Sequence, residues 1–299
     1  MAASESSEKP VRLGVSPLSW TNDVLADLGD EIPLEECLRD AAEIGYEGVE
    51  LGRKFPKDPK ELSSKLSEFG LQLAAGWYSG FLAERSLEAE WKAAADHIRL
   101  LEGCGSQVLV YGEEGKTPKA FLDVPMSQSP DLKLVDLGAY AKKLGEFAVR
   151  LKERGIVLAY HHHLMMLVER AEEISTFCET TDDSVGILLD TGHAYAAGAD
   201  YGEILRRFGK RVVHIHLKDV RRDILARVRK DDLSFNSAVR EGMFTVPGDG
   251  CLDFSEIAKF VRTSGYRGWV IVEAEQDPAK ATPRLYAQNA YRYVRDLMF

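Results

Sequence analysis

The chain has 299 residues, of which 38 are Lys or Arg and 48 are Asp or Glu, so its formal net charge is −10. Proteins that bind nucleic acid displace counterions with a basic surface, and this acidic sequence has no block of Lys or Arg, so nucleic acid is not an expected partner. No apolar run approaches the roughly 20 residues that span a bilayer, so we expect no transmembrane segment.

The first ten residues and the cysteines indicate the cellular compartment in which the protein is expected. Met1–Pro10 has neither the basic region nor the apolar core of a signal peptide, and we predict a disordered lead-in there. The cysteines are scattered and form no CxxC pair: Cys37, Cys104, Cys178 and Cys251. We therefore expect a cytoplasmic protein whose thiols are reduced.

From Val11 onward, short β-branched apolar runs alternate with segments of helical period, which is typical of repeated βα units around a parallel sheet. The predicted strands are Arg12–Ser16, Gly48–Leu51, Leu71–Gly76, Val108–Tyr111, Ile156–His161, Val185–Asp190, Val212–Leu217 and Trp269–Glu273. The predicted helices are Leu34–Ile44, Pro59–Phe69, Glu88–Leu101, Leu137–Arg154, Arg170–Thr180, Tyr201–Phe208, Phe254–Thr263 and Pro283–Leu297.

Glycines supply a stop signal that is independent of periodicity, because a glycine just beyond a helix favours its termination. They follow several predicted helices: Gly45, Gly70, Gly105, Gly155 and Gly265. No linker divides residues 11–299, so we predict one α/β domain over that range, a single (β/α)8 TIM barrel. A doubly wound open sheet is the alternative, but the GxGxxG loop that often accompanies it is absent.

Two predicted connections are longer than the others. One runs from Gly112 to about Asp136 and the other from Asp219 to about Asp253. Long loops in compact domains are usually lids or binding loops. In a barrel, both would lie on the face that holds the active site.

Histidines cluster at the ends of the fifth, sixth and seventh predicted strands, which meet at one rim of a barrel. Of seven histidines, six lie there: His161, His162, His163, His193, His214 and His216. Asp190 and Glu273 close two apolar strands at the same rim, and buried carboxylates need a compensating partner. Histidine nitrogen and carboxylate oxygen without thiolate favour Mn, Co, Fe or Zn.

Strand parity narrows the choice of ligands, because alternate residues face the barrel interior. His214 and His216 share a face, and His216 is nearer the carboxyl end of its strand. His161 and His163 share a face, with His162 on the opposite one. We predict Asp190, Glu273, His216 and His161 as metal ligands, with His163 behind His161.

Further candidates lie at the same mouth. Lys218 either stabilises a developing oxyanion, acts as a base or forms a surface ion pair, and His193 is a candidate acid or base. The predicted substrate-binding residues are Trp20, Trp77, His162, Arg221 and Glu275. Trp20 and Trp77 could equally be packing residues, and Glu275 could be a solvated loop residue.

Several motifs together resemble the inosose dehydratases of bacterial myo-inositol catabolism, and the resemblance covers nearly the whole chain. They are SPLSWTND at Ser16–Asp23, GWYSG at Gly76–Gly80, YHHH at Tyr160–His163, LLDTGH at Leu188–His193, HIHLKDVR at His214–Arg221, MFTVPGDG at Met243–Gly250 and VEAEQDP at Val272–Pro278.

The wider group that the chain resembles is the xylose-isomerase-like barrel superfamily, which includes sugar isomerases, epimerases and endonuclease IV. Its members typically hold a metal with Glu, Asp, His and Glu from the fifth to eighth strands, and Asp190, His216 and Glu273 match the last three. His161 stands where the superfamily has the first Glu. Either His161 replaces that carboxylate, or water or substrate completes the site.

The resemblance implies dehydration of scyllo-inosose, a cyclic polyol ketone. Removal of the proton α to the ketone needs a Lewis acid, a base and an acid for the departing hydroxyl. We expect Glu273 or a histidine as base, His193 or His163 as acid, and Lys218 as added charge stabilisation.

The alternatives are a sugar or inosose isomerase or epimerase, and an endonuclease IV type enzyme, which the net charge disfavours. The resemblance also implies Mn²⁺ or Co²⁺, with glutathione as a possible cofactor and a homodimer as a possible assembly.

Overall fold

The computed structural model describes residues 11–299, and the predicted lead-in Met1–Pro10 lies outside the described residues. The strands are β1 (Val11–Val15), β2 (Gly48–Val49), β3 (Gln72–Leu73), β4 (Gly76–Gly80), β5 (Val108–Glu113), β6 (Val157–His161), β7 (Gly186–Asp190), β8 (Val212–Leu217), β9 (Asp219–Val220), β10 (Phe244–Thr245) and β11 (Gly268–Val272).

The helices are α1 (Leu34–Ile44), α2 (Pro59–Glu68), α3 (Leu87–Gly103), α4 (Leu137–Glu153), α5 (Ala171–Thr180), α6 (Thr191–Ala196), α7 (Tyr201–Phe208), α8 (Arg222–Lys230), α9 (Phe235–Glu241), α10 (Ser255–Thr263) and α11 (Pro283–Met298). Six of them begin at a side chain that accepts a backbone N–H, namely Asp58, Ser86, Asp136, Asp190, Asp200 and Ser234. The five stop glycines all adopt positive φ, which confirms the predicted helix ends.

The parallel sheet follows the order β3-β2-β1-β11-β8-β7-β6-β5-β4. Only Ala74 and Ala75 separate β3 from β4, and these two alanines continue the backbone hydrogen bonds to the strand that contains Val49. Because β3 and β4 are therefore two halves of one interrupted strand, the sheet closes into a ring with eight strand positions. The predicted TIM barrel is confirmed, and the open sheet is excluded.

The eight predicted strands and eight predicted helices are present. Three helices were not predicted: α6 begins directly after β7, and α8 and α9 lie within the second long connection, together with the antiparallel pair β9 and β10. Among the described residues, no helix is both long and apolar enough to cross a membrane. The single domain over residues 11–299 stays a prediction, although every described strand of the barrel belongs to one ring.

The barrel interior passes from apolar to polar along the strands. Its lower part is filled by a small cluster that includes Val110, Ala159 and Leu188. Two residues further along β6 and β7, the same inward face carries His161 and Asp190, because side chains alternate between the two faces of a strand. The strand pattern thus places ionisable side chains at the carboxyl ends of the strands.

Candidate active site

Four side chains at the carboxyl ends of β6, β7, β8 and β11 converge inside the barrel mouth. They are His161, Asp190, His216 and Glu273, and all four are buried. His161 Nε2 and His216 Nδ1 each lie 3.6 Å from Asp190 Oδ2, and His216 Nδ1 lies 3.0 Å from Glu273 Oε2. These are the four residues that sequence parity selected as a ligand set.

Hydrogen bonds on the far side of each imidazole orient its lone pair. His161 Nδ1 donates to the carbonyl oxygen of His162 at 2.8 Å, which leaves Nε2 directed at Asp190. His216 Nε2 donates to Glu50 Oε1 at 3.0 Å, which leaves Nδ1 directed at Asp190 and Glu273. Both rings are therefore held in the tautomer that presents a lone pair to the centre of the site.

Two atoms at this centre are buried without a hydrogen-bond partner: Asp190 Oδ2 and His216 Nδ1. His216 Nδ1 lies 3.0 Å from Glu273 Oε2, but the two atoms do not have the geometry of a hydrogen bond. Buried polar groups are seldom left unpaired, and two nitrogens with two carboxylates suit a divalent cation. The donor set fits a metal ion, and the ligand assignment stays a prediction.

Lys218 lies beneath these carboxylates with its side chain fully buried. Its Nζ lies 2.7 Å from Glu273 Oε1, 2.8 Å from Glu275 Oε2 and 3.6 Å from Asp190 Oδ2. Burial lowers the pKa of Lys218, but the three carboxylates outweigh burial and raise it, so the side chain is an ammonium.

The Lys218 side chain occupies its buried position because Gly192 leaves room for it. A Cβ on Gly192 would lie 2.6 Å from the lysine Cγ. Lys218 does not line the cavity. Its ammonium therefore neutralises buried carboxylates, which excludes the surface ion pair, and its role in charge stabilisation stays a prediction.

The two candidate proton-transfer histidines, His163 and His193, are in contact, with ring centroids 3.8 Å apart and ring planes tilted by 37°, but only His163 lines the cavity. His163 Nδ1 donates to the carbonyl oxygen of Leu164 at 2.6 Å, so its Nε2 carries the lone pair. His193 is buried and its Nε2 lies 2.8 Å from Lys218 Nζ. Burial lowers the pKa of both imidazoles, so His163 is the neutral imidazole that a ligand can reach.

A cavity of about 590 Å³ opens above the site, within the range of small-molecule pockets. Its floor includes His161, His216, Glu273 and Glu275. Residues 117–123 from the first long connection and Phe235 and Asn236 of α9 form the upper wall. The predicted position of both long connections on the active-site face is confirmed.

The two long connections bind each other above the cavity. Asn236 donates through Nδ2 to Asp123 Oδ1 at 2.7 Å, and through its backbone N–H to the carbonyl oxygen of Leu122 at 3.0 Å. The Met126 N–H donates to the carbonyl oxygen of Leu233 at 3.1 Å. We call the paired segments 117–128 and 232–236 the roof.

Trp77 forms a flat side wall of the cavity, next to the edges of His161 and His163. Its Nε1 donates to Ser79 Oγ at 3.0 Å. A Cβ on Gly112 would lie 2.2 Å from the indole ring, so this glycine of β5 is required for the observed ring position. The position of Trp77 is consistent with its predicted contact with substrate, as is the position of Glu275 on the floor.

Three predicted substrate-binding residues lie outside the cavity lining. Trp20 is fully buried and donates through Nε1 to Asp40 Oδ2 at 3.1 Å, so it packs beneath the first loop. His162 projects from the opposite face of β6, and its Nε2 accepts the Asp190 N–H at 3.3 Å. The structure removes both from the substrate-binding set.

Arg221 is the third correction. Its guanidinium donates to the carbonyl oxygen of Gly242 at 2.8 Å, to Thr245 Oγ1 at 2.9 Å and to Asp249 Oδ2 at 2.7 Å. These bonds brace the β9–β10 pair against the loop that follows it. These hydrogen bonds hold the Arg221 guanidinium away from the cavity, which it does not line.

Sequence reasoning missed Glu50, which is buried just after β2 and lines the cavity. Its Oε1 accepts from Nε2 of both His214 and His216, at 2.9 and 3.0 Å. The sequence did contain a signal for Glu50, namely a carboxylate directly after a short apolar run, as at Asp190 and Glu273.

Comparisons with known proteins agree with this architecture. Residues 38–297 match the family described as xylose isomerase-like TIM barrel. The rhizopine catabolism protein MocC of Rhizobium meliloti is 42% identical over 281 residues, which cover 94% of this chain and 86% of that protein. An inosose dehydratase of Clostridium beijerinckii is 39% identical over 293 residues, which cover 96% of this chain and 97% of that enzyme.

Among solved structures, the IOLI protein with a bound zinc atom superposes with a TM-score of 0.67 at 16% identity, covering 96% of this chain and 98% of that one. At this identity the likeness concerns the fold alone.

Proposed function

The chain belongs to the xylose isomerase-like TIM barrel family, and we propose that it is an inosose dehydratase, a hydro-lyase that removes water from scyllo-inosose in myo-inositol catabolism. The observation that carries the proposal is the convergence of His161, His216 and Glu273 around Asp190 at the floor of a ligand-sized cavity. The full-length similarity to curated inosose dehydratases supports the choice of reaction within the family.

We assign the metal to His161, Asp190, His216 and Glu273, with Mn²⁺ or Co²⁺ as the expected ion. A bound divalent ion supplies Lewis-acid polarisation of the ketone oxygen. Lys218 holds Glu273 and Glu275 in place through its two short ion pairs, and so limits the repulsion between carboxylates that face one cavity. Glu275 and the ring face of Trp77 bind the polyol.

We assign proton transfer to His163 Nε2. The neutral imidazole accepts the proton α to the ketone, and the electron pair of that C–H bond becomes the enolate. The enolate then expels the β-hydroxyl as its C–O bond breaks, and the protonated His163 gives its proton to that oxygen, which leaves as water. The bond from Nδ1 to the Leu164 carbonyl oxygen holds the ring for both transfers.

The test of the proposed function is absorbance of purified protein mixed with scyllo-inosose, first after chelation and then with Mn²⁺, Co²⁺ or Zn²⁺ added back. Dehydration produces a conjugated enol that absorbs in the ultraviolet, whereas isomerisation or epimerisation produces none. We expect a rise that depends on added metal, and reduced glutathione is tested as an additive in parallel. A new polyol ketone detected by NMR without absorbance would favour the isomerase or epimerase alternative.

The substrate panel also includes rhizopine, because the rhizopine catabolism protein is as similar to this chain as the dehydratases are. The cavity of about 590 Å³ is compatible with a ligand larger than one polyol ring.

The role of His163 is tested with His163→Asn, which keeps an N–H for the Leu164 carbonyl oxygen. We expect turnover to fall by about 10²- to 10⁴-fold, which is typical of loss of a general acid–base group, with unchanged metal affinity. NMR in D₂O follows exchange at the carbon α to the ketone, which we expect to be lost as well. His97→Gln, on α3 and outside the cavity lining, is the control. Near-normal exchange in His163→Asn would assign the base to another residue.

A further inference from the structure

Glu50 connects the two halves of the barrel mouth. It follows β2, yet its side chain reaches β8 on another part of the ring, where Oε1 accepts from His214 Nε2 at 2.9 Å and from His216 Nε2 at 3.0 Å. An ionised carboxylate is acceptor-only, so both imidazoles must present an N–H at Nε2.

The proton on Nε2 decides what His216 presents on its other side. With Nε2 protonated, Nδ1 has a lone pair, and this atom lies 3.6 Å from Asp190 Oδ2 and 3.0 Å from Glu273 Oε2 without a hydrogen bond to either. The opposite tautomer would place a proton at this centre and remove one ligand atom. The neighbouring negative charge also increases the electron-donating power of the ring.

His214 supports the same arrangement from below. It is fully buried, and its bond to Glu50 Oε1 fixes that oxygen between two rings of the same inward strand face. Glu50 Oε1 thus accepts an N–H from both imidazoles inside the barrel, an arrangement that suits a carboxylate.

We propose that Glu50 is a positioning residue of the metal site: it fixes the tautomer and orientation of His216 so that Nδ1 binds the ion, and His214 holds Glu50 in place for this task. The inference rests on the proposed metal site. In this site, Glu50 supports the four proposed metal ligands but does not itself bind the metal.

The experiment measures Zn²⁺ affinity by competition with a chromophoric chelator, without any substrate. Removal of an outer partner of a metal-bound histidine typically weakens metal binding by about 10- to 100-fold. We expect a loss in this range for Glu50→Ala and a smaller one for Glu50→Gln, whose carbonyl oxygen still accepts a hydrogen bond. The matched control is Glu113→Gln, because Glu113 is a buried glutamate at the end of β5 that contacts tyrosine and backbone instead of histidine.

A second measurement reads the tautomer directly. In Zn²⁺-loaded protein with ¹⁵N-labelled histidine, NMR should show the His216 proton on Nε2, slow to exchange in the wild type and fast in Glu50→Ala. Zn²⁺ affinity within twofold of wild type in both Glu50 variants, or a His216 proton on Nδ1, would overturn the inference. Absence of Zn²⁺ and Co²⁺ binding by the wild type would overturn the metal site together with the inference, whereas loss confined to the Glu50 variants supports both.

Discussion

Buried carboxylates occur in two regions of the barrel rim whose partners differ in kind. In the histidine region, Asp190 and Glu273 face imidazoles and an ammonium. Burial raises the pKa of Glu273, but in the metal-free protein the positive charges of His216, when it is protonated, and of Lys218 outweigh burial and lower that pKa to about 2. In the tyrosine region, Glu113 lies beside Tyr111 and Tyr140, and burial raises its pKa to about 7, which hydrogen bonds offset only in part.

Position at a strand end therefore does not by itself define a metal ligand. Both regions place a carboxylate at the carboxyl end of a barrel strand, and both bury it. Only the histidine region supplies nitrogen lone pairs and a compensating cation, which keep the carboxylates ionised and available to a metal.

The largest effect should follow from His216→Ala, which removes a predicted ligand from the histidine region. We expect loss of metal binding and a loss of turnover greater than the about 10- to 100-fold typical of residues outside the ligand set. Circular dichroism should still report a folded barrel. Asp190→Asn should behave in the same way, and near-normal turnover in either variant would refute the metal assignment.

Lys218→Met should have the next largest effect, because it leaves the buried carboxylates of Asp190, Glu273 and Glu275 without their ammonium. Breaking a buried ion pair typically costs about 3–5 kcal/mol, and we expect a loss of this size in the free energy of unfolding of the metal-free protein. Added Zn²⁺ should recover part of it, since the ion supplies positive charge to the same groups. Lys133→Met is the exposed control, and equal losses with and without metal would contradict the prediction.

The smallest effect concerns Glu113. Its pKa is about 7 in the folded protein against 4.5 in the unfolded chain, so between these values the folded state binds more protons and stability falls as pH rises. This penalty is on the order of 3 kcal/mol when complete. Thermal unfolding of Glu113→Gln from pH 4.5 to 8 should show a shallower decline than the wild type. Parallel curves would show that the tyrosine region does not hold a proton.

Strand periodicity predicted most of the fold and the ligand set. His161, Asp190, His216 and Glu273 lie where parity and strand ends place them, because the geometry of a closed barrel converts those two patterns into proximity. Glu50 was overlooked because the predicted strand Gly48–Leu51 placed it inside the strand, whereas in the structure β2 ends at Val49 and Glu50 follows it.

Residues beyond the strand ends were harder to predict. Whether Trp20 or Arg221 reaches substrate depends on partners distant in sequence, Asp40 for the first and Thr245 and Asp249 for the second. The periodicity of the sequence does not predict these long-range contacts, because they are formed by loops whose path is set by tertiary packing. The same reason explains why α8 and α9 were predicted only as a long connection.

The roof has a consequence for the order of folding. Its two segments are separated by about a hundred residues, and their hydrogen bonds join Asp123 and Leu122 to Asn236. During synthesis the first segment is made well before the second, so the enclosed cavity cannot exist until Asn236 has left the ribosome. In refolding, closure of this long loop follows formation of the local βα units, and the ability to bind a ligand is acquired after most of the secondary structure.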